Sequence, residues 1–338
     1  MHTLDWKNLS FAYLPTKGNI RCYCRNGKWS KPEITTSEEV TLHIAATCLH
    51  YGQDVFEGLK AYRGADGRVR LFRARENAKR LTESGQYLQM DVPGEEMFMD
   101  MVRQVVKYNE EFVPPHDSGA TLYIRPLLIG TSAQVGVKRA DDYLFLIFVT
   151  PVGPYFKEGF KPVSVIIDRD HDRAAPQGTG HTKCGGNYAA SLISLDICHH
   201  MGYATMLYLD AAEKKYIDEC GPANFFAIRG NSYITPDSHS ILPSITNMSL
   251  MELAKDMGMT VEQRKVEVGE LATFDEVGAC GTAAVISPVG KIFDPATGQT
   301  FEYCKDGQAG KVSTKLYNHL RAIQYGDEAD KFGWIDVI

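Results

Sequence analysis

The sequence predicts a two-domain protein of mixed α/β (α+β) class, and three observations carry that reading. Segments with the two-residue apolar period of strands mix with segments of helical period. A chain of 338 residues, 44% of them apolar, can bury more than one core normally holds. The stretch from Pro151 to Pro162 has three prolines and two glycines in twelve positions without periodicity, the mark of a linker. The expected division is a smaller N-terminal α/β domain over 1–152, an interdomain linker over 153–162 and a larger domain over 163–338.

In chain order, Val40 to Ala46 and Val69 to Phe72 read as short strands, and Gly64-Ala-Asp-Gly67 as a turn. Glu76 to Gln89 reads as a helix with Leu81, Ser84, Gly85 and Leu88 on one side. The following helix is plainer, because Phe98, Met101, Val102, Val105 and Val106 fall at i, i+3, i+4, i+7 and i+8. Thr121 to Pro126 and Tyr143 to Val149 are strands, the second apolar on both faces and hence central in a sheet. Side chains alternate across a strand, so Tyr123 and Arg125 share one face and Leu122 and Ile124 the other. Two readings fit that polar face: an edge strand facing solvent, or a site wall whose arginine fork takes a carboxylate.

Beyond the linker, Val163 to Asp168 reads as a buried strand and Asp168-Arg-Asp-His-Asp-Arg173 as a solvated charged loop. Ala189 to His200 reads as a helix with Gly202 as its C′ residue. Strands follow at 204–210 and 215–218, with Glu219 directly after them, and Asn224 to Ile228 and Ser232 to Thr235 form a hairpin. A helix runs to about Met257. Its N-terminus, with Ser244 and Thr246, is either an ordinary cap or an anion site. Gly278 to Pro288 is a small-residue turn entering an apolar strand, and a last helix from Lys311 to Tyr325 turns Val312, Leu316, Leu320 and Ile323 inward.

Composition excludes several functions. A net charge of −6 without a basic run argues against nucleic acid. The N-terminus has no apolar secretory core, and no apolar run approaches a membrane span. The eight cysteines then read as reduced thiols of a cytoplasmic protein. Neither Cys22-x-Cys24 nor His181 with Cys184 has metal-site spacing, so no metal is expected.

The chemistry centres on Gly178-Thr-Gly-His-Thr-Lys183-Cys-Gly-Gly-Asn-Tyr188, one lysine between two glycine pairs. Thr182 precedes Lys183 and Cys184 follows it, so a phosphate-binding P-loop fails, and Lys183 stands where a dinucleotide fingerprint needs glycine. A lysine in such a loop reads first as a solvated surface group. The alternative is a carbonyl nucleophile, its amine pKa lowered by burial or a nearby cation.

Six separated stretches then agree: Tyr51 to Tyr62, Val69 to Arg73, Leu122 to Pro126, Lys183 to Tyr188, Glu219 to Asn224, and Gly281 to Ala283. Together, in order and spacing, they resemble the branched-chain amino acid aminotransferases, built on the type IV fold of pyridoxal 5′-phosphate enzymes. The resemblance runs from about Tyr51 to Gly326. It implies a larger domain with a β-barrel-like core and exchange of amino groups between branched-chain L-amino acids and 2-oxoglutarate. By the resemblance, Lys183 forms the Schiff base and moves the substrate Cα proton. Glu219 sits at the pyridine nitrogen, Tyr188 bonds the ring 3′ oxygen, and Arg73, Ile245, Thr246 and Thr282 hold the phosphate. Tyr51, Phe56 and Tyr155 form the apolar wall. Tyr123, with the backbone of Thr282 and Ala283, takes the α-carboxylate, and Arg125 takes the γ-carboxylate of glutamate. A homodimer is implied, because in this family a loop reaches the neighbouring subunit's site.

Two departures stand out. Ala284 and Ser287 replace a Cys-x-x-Cys pair found in some relatives, so no thiol switch is expected there. Pro222 lacks a hydroxyl that others carry. The rivals within the fold, a D-amino acid aminotransferase or an aminodeoxychorismate lyase, would keep Lys183 and Glu219 but need a different carboxylate trap. The rival of another class is a cofactor-binding protein without turnover.

Overall fold

The computed structural model describes residues 4–153, 155 and 160–338. Residues 154 and 156–159, within the segment read as a linker, lie outside the described residues. The chain forms two compact units: Met1–Tyr155 with Thr182–Gly185 and Ala322–Ile338, and Phe156–His181 with Gly186–Arg321.

The first unit is built on one antiparallel sheet. Its strands are β1 (Asn19–Arg25), β2 (Lys28–Trp29), β3 (Glu33–Thr35), β4 (Asp54–Phe56), β5 (Leu59–Arg63), β6 (Val69–Phe72), β7 (Thr121–Gly130) and β8 (Asp142–Val152), with a C-terminal strand Ile335–Val337. The spatial order is C-terminal strand, β6, β5, β7, β8, β1, β2; β3 lies beside β1 and β4 beside β7. β7 is therefore central, which overturns the edge-strand reading of the Tyr123–Arg125 face.

β4 and β5 are one line of chain against β7: Phe56 opposes Leu127 and Leu59 opposes Ile124 in a single register. The ladder lapses between them because Pro126 has no N–H to give, although its carbonyl still accepts from the Glu57 amide at 2.9 Å. Directly opposed residues share a face. The pleat therefore puts Phe56, Tyr123 and Arg125 on one side, and Val55, Glu57, Leu59, Leu122 and Ile124 on the other.

Three helices belong here: α1 (Thr47–Tyr51), α2 (Ala74–Tyr87) and α3 (Glu95–Tyr108). The apolar face of α3 is buried as its periodicity demands, and α2 starts two residues before Glu76. Leu81, Phe98, Met101, Val102 and Val105 pack with Val55, Leu59, Leu71, Leu122 and Phe145 in one core. Each such side chain contributes about 1.5–3 kcal/mol on burial. Val40 to Ala46 is not a strand; apart from a single bridge from Ala46 to Ala133 it forms no ladder. Val40 and Leu42 instead lie against Ile129, Leu144 and Leu146 on the opposite sheet face. Alternating burial needs only a flat surface to lie on, and coil meets that demand as well as a strand does.

The second unit holds β9 (Val163–Asp168), β10 (Thr205–Leu209), β11 (Ile217–Cys220), β12 (Ala223–Arg229), β13 (Ser232–Pro236), β14 (Thr260–Arg264), β15 (Glu276–Gly281), β16 (Val285–Asp294) and β17 (Gln299–Glu302). The order β11-β10-β9-β16-β15-β12 returns on itself through pairing of β11 with β12, so these six strands close a barrel. Val165, Ile167, Leu207, Leu209, Phe225 and Ile292 fill its core. The helices are α4 (Gly185–Ala190), α5 (Leu192–His200), α6 (Ile245–Asp256) and α7 (Lys311–Tyr325).

Several expectations need correction here. The helix read from Ala189 to His200 is two pieces, parted at Ser191, whose amide and hydroxyl both donate to the Tyr188 carbonyl. Glu219 lies within β11 rather than after it. The Asp168–Arg173 run is not a solvated loop: Arg169 pairs with the buried Asp294 at 2.7 Å and Arg173 is itself buried. On α7, Ser313 is buried while Val312 is only half-buried. Among the described residues no helix is long and apolar enough to cross a membrane.

Candidate active site

On the first unit, the backbone of Lys183 is pinned to the sheet and to α2. Its carbonyl accepts from the Phe56 amide at 3.0 Å and its amide donates to Ser84 Oγ at 3.0 Å. Gly185 donates to Asp54 at 2.8 Å. The Lys183 amine lies 4.9 Å from the centre of the Phe56 ring. The Arg125 guanidinium is 4.8 Å from that same ring and donates to the Tyr123 hydroxyl at 3.1 Å. Phe11 extends the cluster, edge-on to Tyr123 at 5.2 Å and to Tyr155 at 5.3 Å. Phe56, Lys183, Tyr123, Arg125 and Tyr155 thus meet as one group. Tyr51 stands apart from it, its hydroxyl donating to the Val135 carbonyl on an exposed face.

Two further details mark this group. The Tyr123 hydroxyl sits where any Cβ on Gly58 would collide with it, so glycine is needed opposite Arg125. Arg125 Nε is buried without a hydrogen-bond partner among the described residues. A buried guanidinium N–H in that state costs free energy until an acceptor arrives.

On the reverse face of the same sheet lies a charge that sequence reasoning missed. Glu57 is fully buried; it receives Arg80 Nε at 2.7 Å, Arg80 Nη2 at 2.8 Å and Asn77 Nδ2 at 2.8 Å. Burial pushes its carboxyl pKa up, but Arg80, the Lys183 charge and the Asn77 bond outweigh this and hold it below the usual range. Arg73 occupies the N-cap of α2 with φ +47°. Its guanidinium lies 5.0 Å from the Trp334 ring.

On the second unit, Glu219 is buried and paired with Arg173, Nε to Oε2 at 2.8 Å. Its other oxygen accepts from the Leu242 amide. Arg173 also donates to the carbonyls of Gly180, at 2.9 Å, and Ser240. A Cβ on Gly180 would strike the Ser240 carbonyl, so the glycine-rich loop packs as closely as only glycine allows. α6 begins at Ile245 behind the Ser244 cap, which accepts from the Asn247 amide at 3.2 Å. The amides of Ile245 and Thr246 are first-turn donors with no acceptor inside their own helix. Thr282 and Ala283 form the tight loop between β15 and β16, which ends on Val285 at φ +65°. Tyr188 is half-buried on α4. No periodicity or spacing pointed to Arg173, Glu57 or Arg80, because an ion pair between distant residues leaves no trace in either.

Amino-transferase class IV matches residues 54–292. The branched-chain-amino-acid aminotransferase of Haemophilus influenzae is 44% identical over 342 residues, covering 99% of this chain and 99% of that protein. Among solved structures, the branched-chain amino acid aminotransferase of Escherichia coli superposes with a TM-score of 0.78 at 28% identity, covering 95% of this chain and 99% of that one. The enzyme of that name from Thermobaculum terrenum, solved in its PLP form, superposes with a TM-score of 0.76 at 25% identity, covering 96% and 98%. The fold is thus that of the type IV aminotransferases. The chain belongs to the branched-chain-amino-acid aminotransferases of class IV, transferases that act on amino acids and 2-oxo acids.

Proposed function

We propose that the protein interconverts branched-chain L-amino acids and their 2-oxo acids, with glutamate and 2-oxoglutarate as the second pair, and that Lys183 is its catalytic residue. Pyridoxal 5′-phosphate, the cofactor of this class, supplies an aldehyde for a lysine amine and a cationic ring that takes up electrons from the substrate Cα. The residues fit that group: a lysine whose backbone is fixed on both sides, a buried carboxylate held in place, an arginine, and a helix N-terminus with capped geometry.

In this reading the Lys183 amine would hold the cofactor through its aldehyde and, once the substrate amine displaces it, would serve as the base for the substrate Cα proton. Glu219 would accept the pyridine N–H and Tyr188 would donate to the 3′ oxygen. Arg73 would take the phosphate, a role the resemblance also gives to the Ile245 and Thr246 amides and the Thr282 hydroxyl. Tyr123, with the backbone of Thr282 and Ala283, receives the α-carboxylate. Phe56 and Tyr155 would form the apolar wall for a leucine, isoleucine or valine side chain, whereas Tyr51, standing apart within the chain, is left out of that wall. Arg125 turns to the γ-carboxylate of glutamate, and its unpartnered Nε carries this part of the proposal.

A homodimer belongs to the same reading. Ile44, Leu49, Val135 and Val137 are exposed around the Ala46–Ala133 bridge, and Leu192, Ile193, Ile197 and Met201 are exposed on and beside α5. Each of these two groups, one on each unit, is exposed apolar surface of the kind that association covers. The protein works in the cytoplasm, where its eight free thiols stay reduced. The test is the visible spectrum of the purified holoenzyme. Its cofactor band is expected to move on adding L-leucine and not on adding D-alanine, and Lys183→Ala to abolish turnover. Full turnover in that variant would overturn the assignment.

A further inference from the structure

We propose that Trp334 is a positioning residue that sets the Arg73 guanidinium for the cofactor phosphate; the inference rests on the phosphate role given to Arg73 above. Arg73 joins β6 to α2, and the chain turns there only because Arg73 adopts the left-handed conformation, φ +47°. A non-glycine residue in that region costs free energy and persists only where its surroundings hold it. Here the holder is the C-terminus: the Arg73 amide donates to the Trp334 carbonyl at 2.7 Å.

The indole does the second part. The Arg73 guanidinium lies 5.0 Å from the ring of Trp334, a residue only 7% exposed. A guanidinium held over an aromatic face is fixed in place by the ring, and its planar fork of N–H groups is the part that can meet a phosphate oxygen.

The ring is itself held by two aromatic neighbours. It meets Phe72 edge-on at 5.6 Å and stacks on Phe332 at 4.2 Å. The strand that follows pairs with β6, Ile335 against Phe72 and Val337 against Arg70. Asp336 then ties that strand to α3 by accepting from Arg103 at 2.6 Å. Backbone turn, side-chain direction and support thus all reach Arg73 from the last residues of the chain.

The experiment compares two probes, pyridoxal 5′-phosphate and phosphate-free pyridoxal, titrated into full-length wild type, Trp334→Leu, Trp334→Phe and Arg73→Leu. The readout is the dissociation constant from the absorbance of probe attached at Lys183. Trp334→Leu is expected to weaken the phosphorylated probe about tenfold, the scale of a desolvated cation–π contact, and leave pyridoxal unchanged. Trp334→Phe keeps a weaker π face and should lose about two- to threefold. Pyridoxal binding doubles as the check that each variant is folded. An unchanged preference for the phosphorylated probe in both Trp334 variants overturns the proposal, and so does equal weakening of both probes. If Arg73→Leu retains the preference, the phosphate role of Arg73 fails and the proposal falls with it, a result separable from failure at Trp334 alone.

Discussion

Arg173 Nε stands 2.8 Å from a carboxylate oxygen of Glu219, and both side chains are buried. Both partners are held further: the Leu242 amide donates to the other Glu219 oxygen, and Arg173 spends a further nitrogen on the Gly180 and Ser240 carbonyls. The residue proposed to face the cofactor ring is thereby fixed by an arginine that also ties down the loop leading to Lys183.

Removing that arginine should be costly. Arg173→Leu leaves a buried carboxylate without its cation, and the unfolding free energy from urea titration is expected to fall by about 3–5 kcal/mol. Arg173→Lys keeps the charge but cannot reach all three acceptors from one fork, so part of the loss should remain. A loss below about 1 kcal/mol in the leucine variant would mean that the pair does not hold Glu219.

Glu57 ties stability to acid pH. Its folded-state pKa is lowered, so the folded protein releases this proton more readily than the unfolded chain does. The contribution is fully present above the ordinary glutamate value of about 4.3 and is lost as pH falls through the lower folded value. Wild type should therefore lose unfolding free energy more steeply than Glu57→Gln/Arg80→Met as pH is taken from 5 down through about 4 and below. Glu57→Gln alone strands Arg80 and is expected to cost about 3–5 kcal/mol at pH 7. Parallel pH profiles for wild type and the double variant would remove Glu57 as the source of the acid slope.

The role proposed for Arg125 would separate the two substrates. Hydrogen bonds to a charged group contribute about 1.5–3 kcal/mol. Arg125→Ala should accordingly slow the glutamate half-reaction roughly 10- to 100-fold, while leucine, which brings no second carboxylate, loses much less. Single-turnover rates for each half-reaction decide it; equal losses would assign Arg125 to the shared α-carboxylate or to the fold.

Much of the architecture was legible from sequence because its cause is local. The Phe98–Val106 face of α3 and the doubly buried β8 follow from apolar spacing alone, and both form where expected. Val40 to Ala46 misled because alternation records burial, not pairing. Closure of the barrel rests on a two-pair contact between β11 and β12, Glu219 with Asn224 and Cys220 with Ala223. No pattern inside either strand states that partner.

The sequence by itself determined the family, through six ordered motifs, and the shared face of Tyr123 and Arg125. Those properties sit in residue identity and in the fixed two-residue period of a strand. The tertiary structure alone decided which charges are buried or covered and what lies against them: Arg173 under Glu219, Arg80 on Glu57, Trp334 against the half-buried Arg73. Burial and pairing of a charge depend on chain segments that meet only after folding, so a side chain that looks solvated in sequence can become the fixed support of a site.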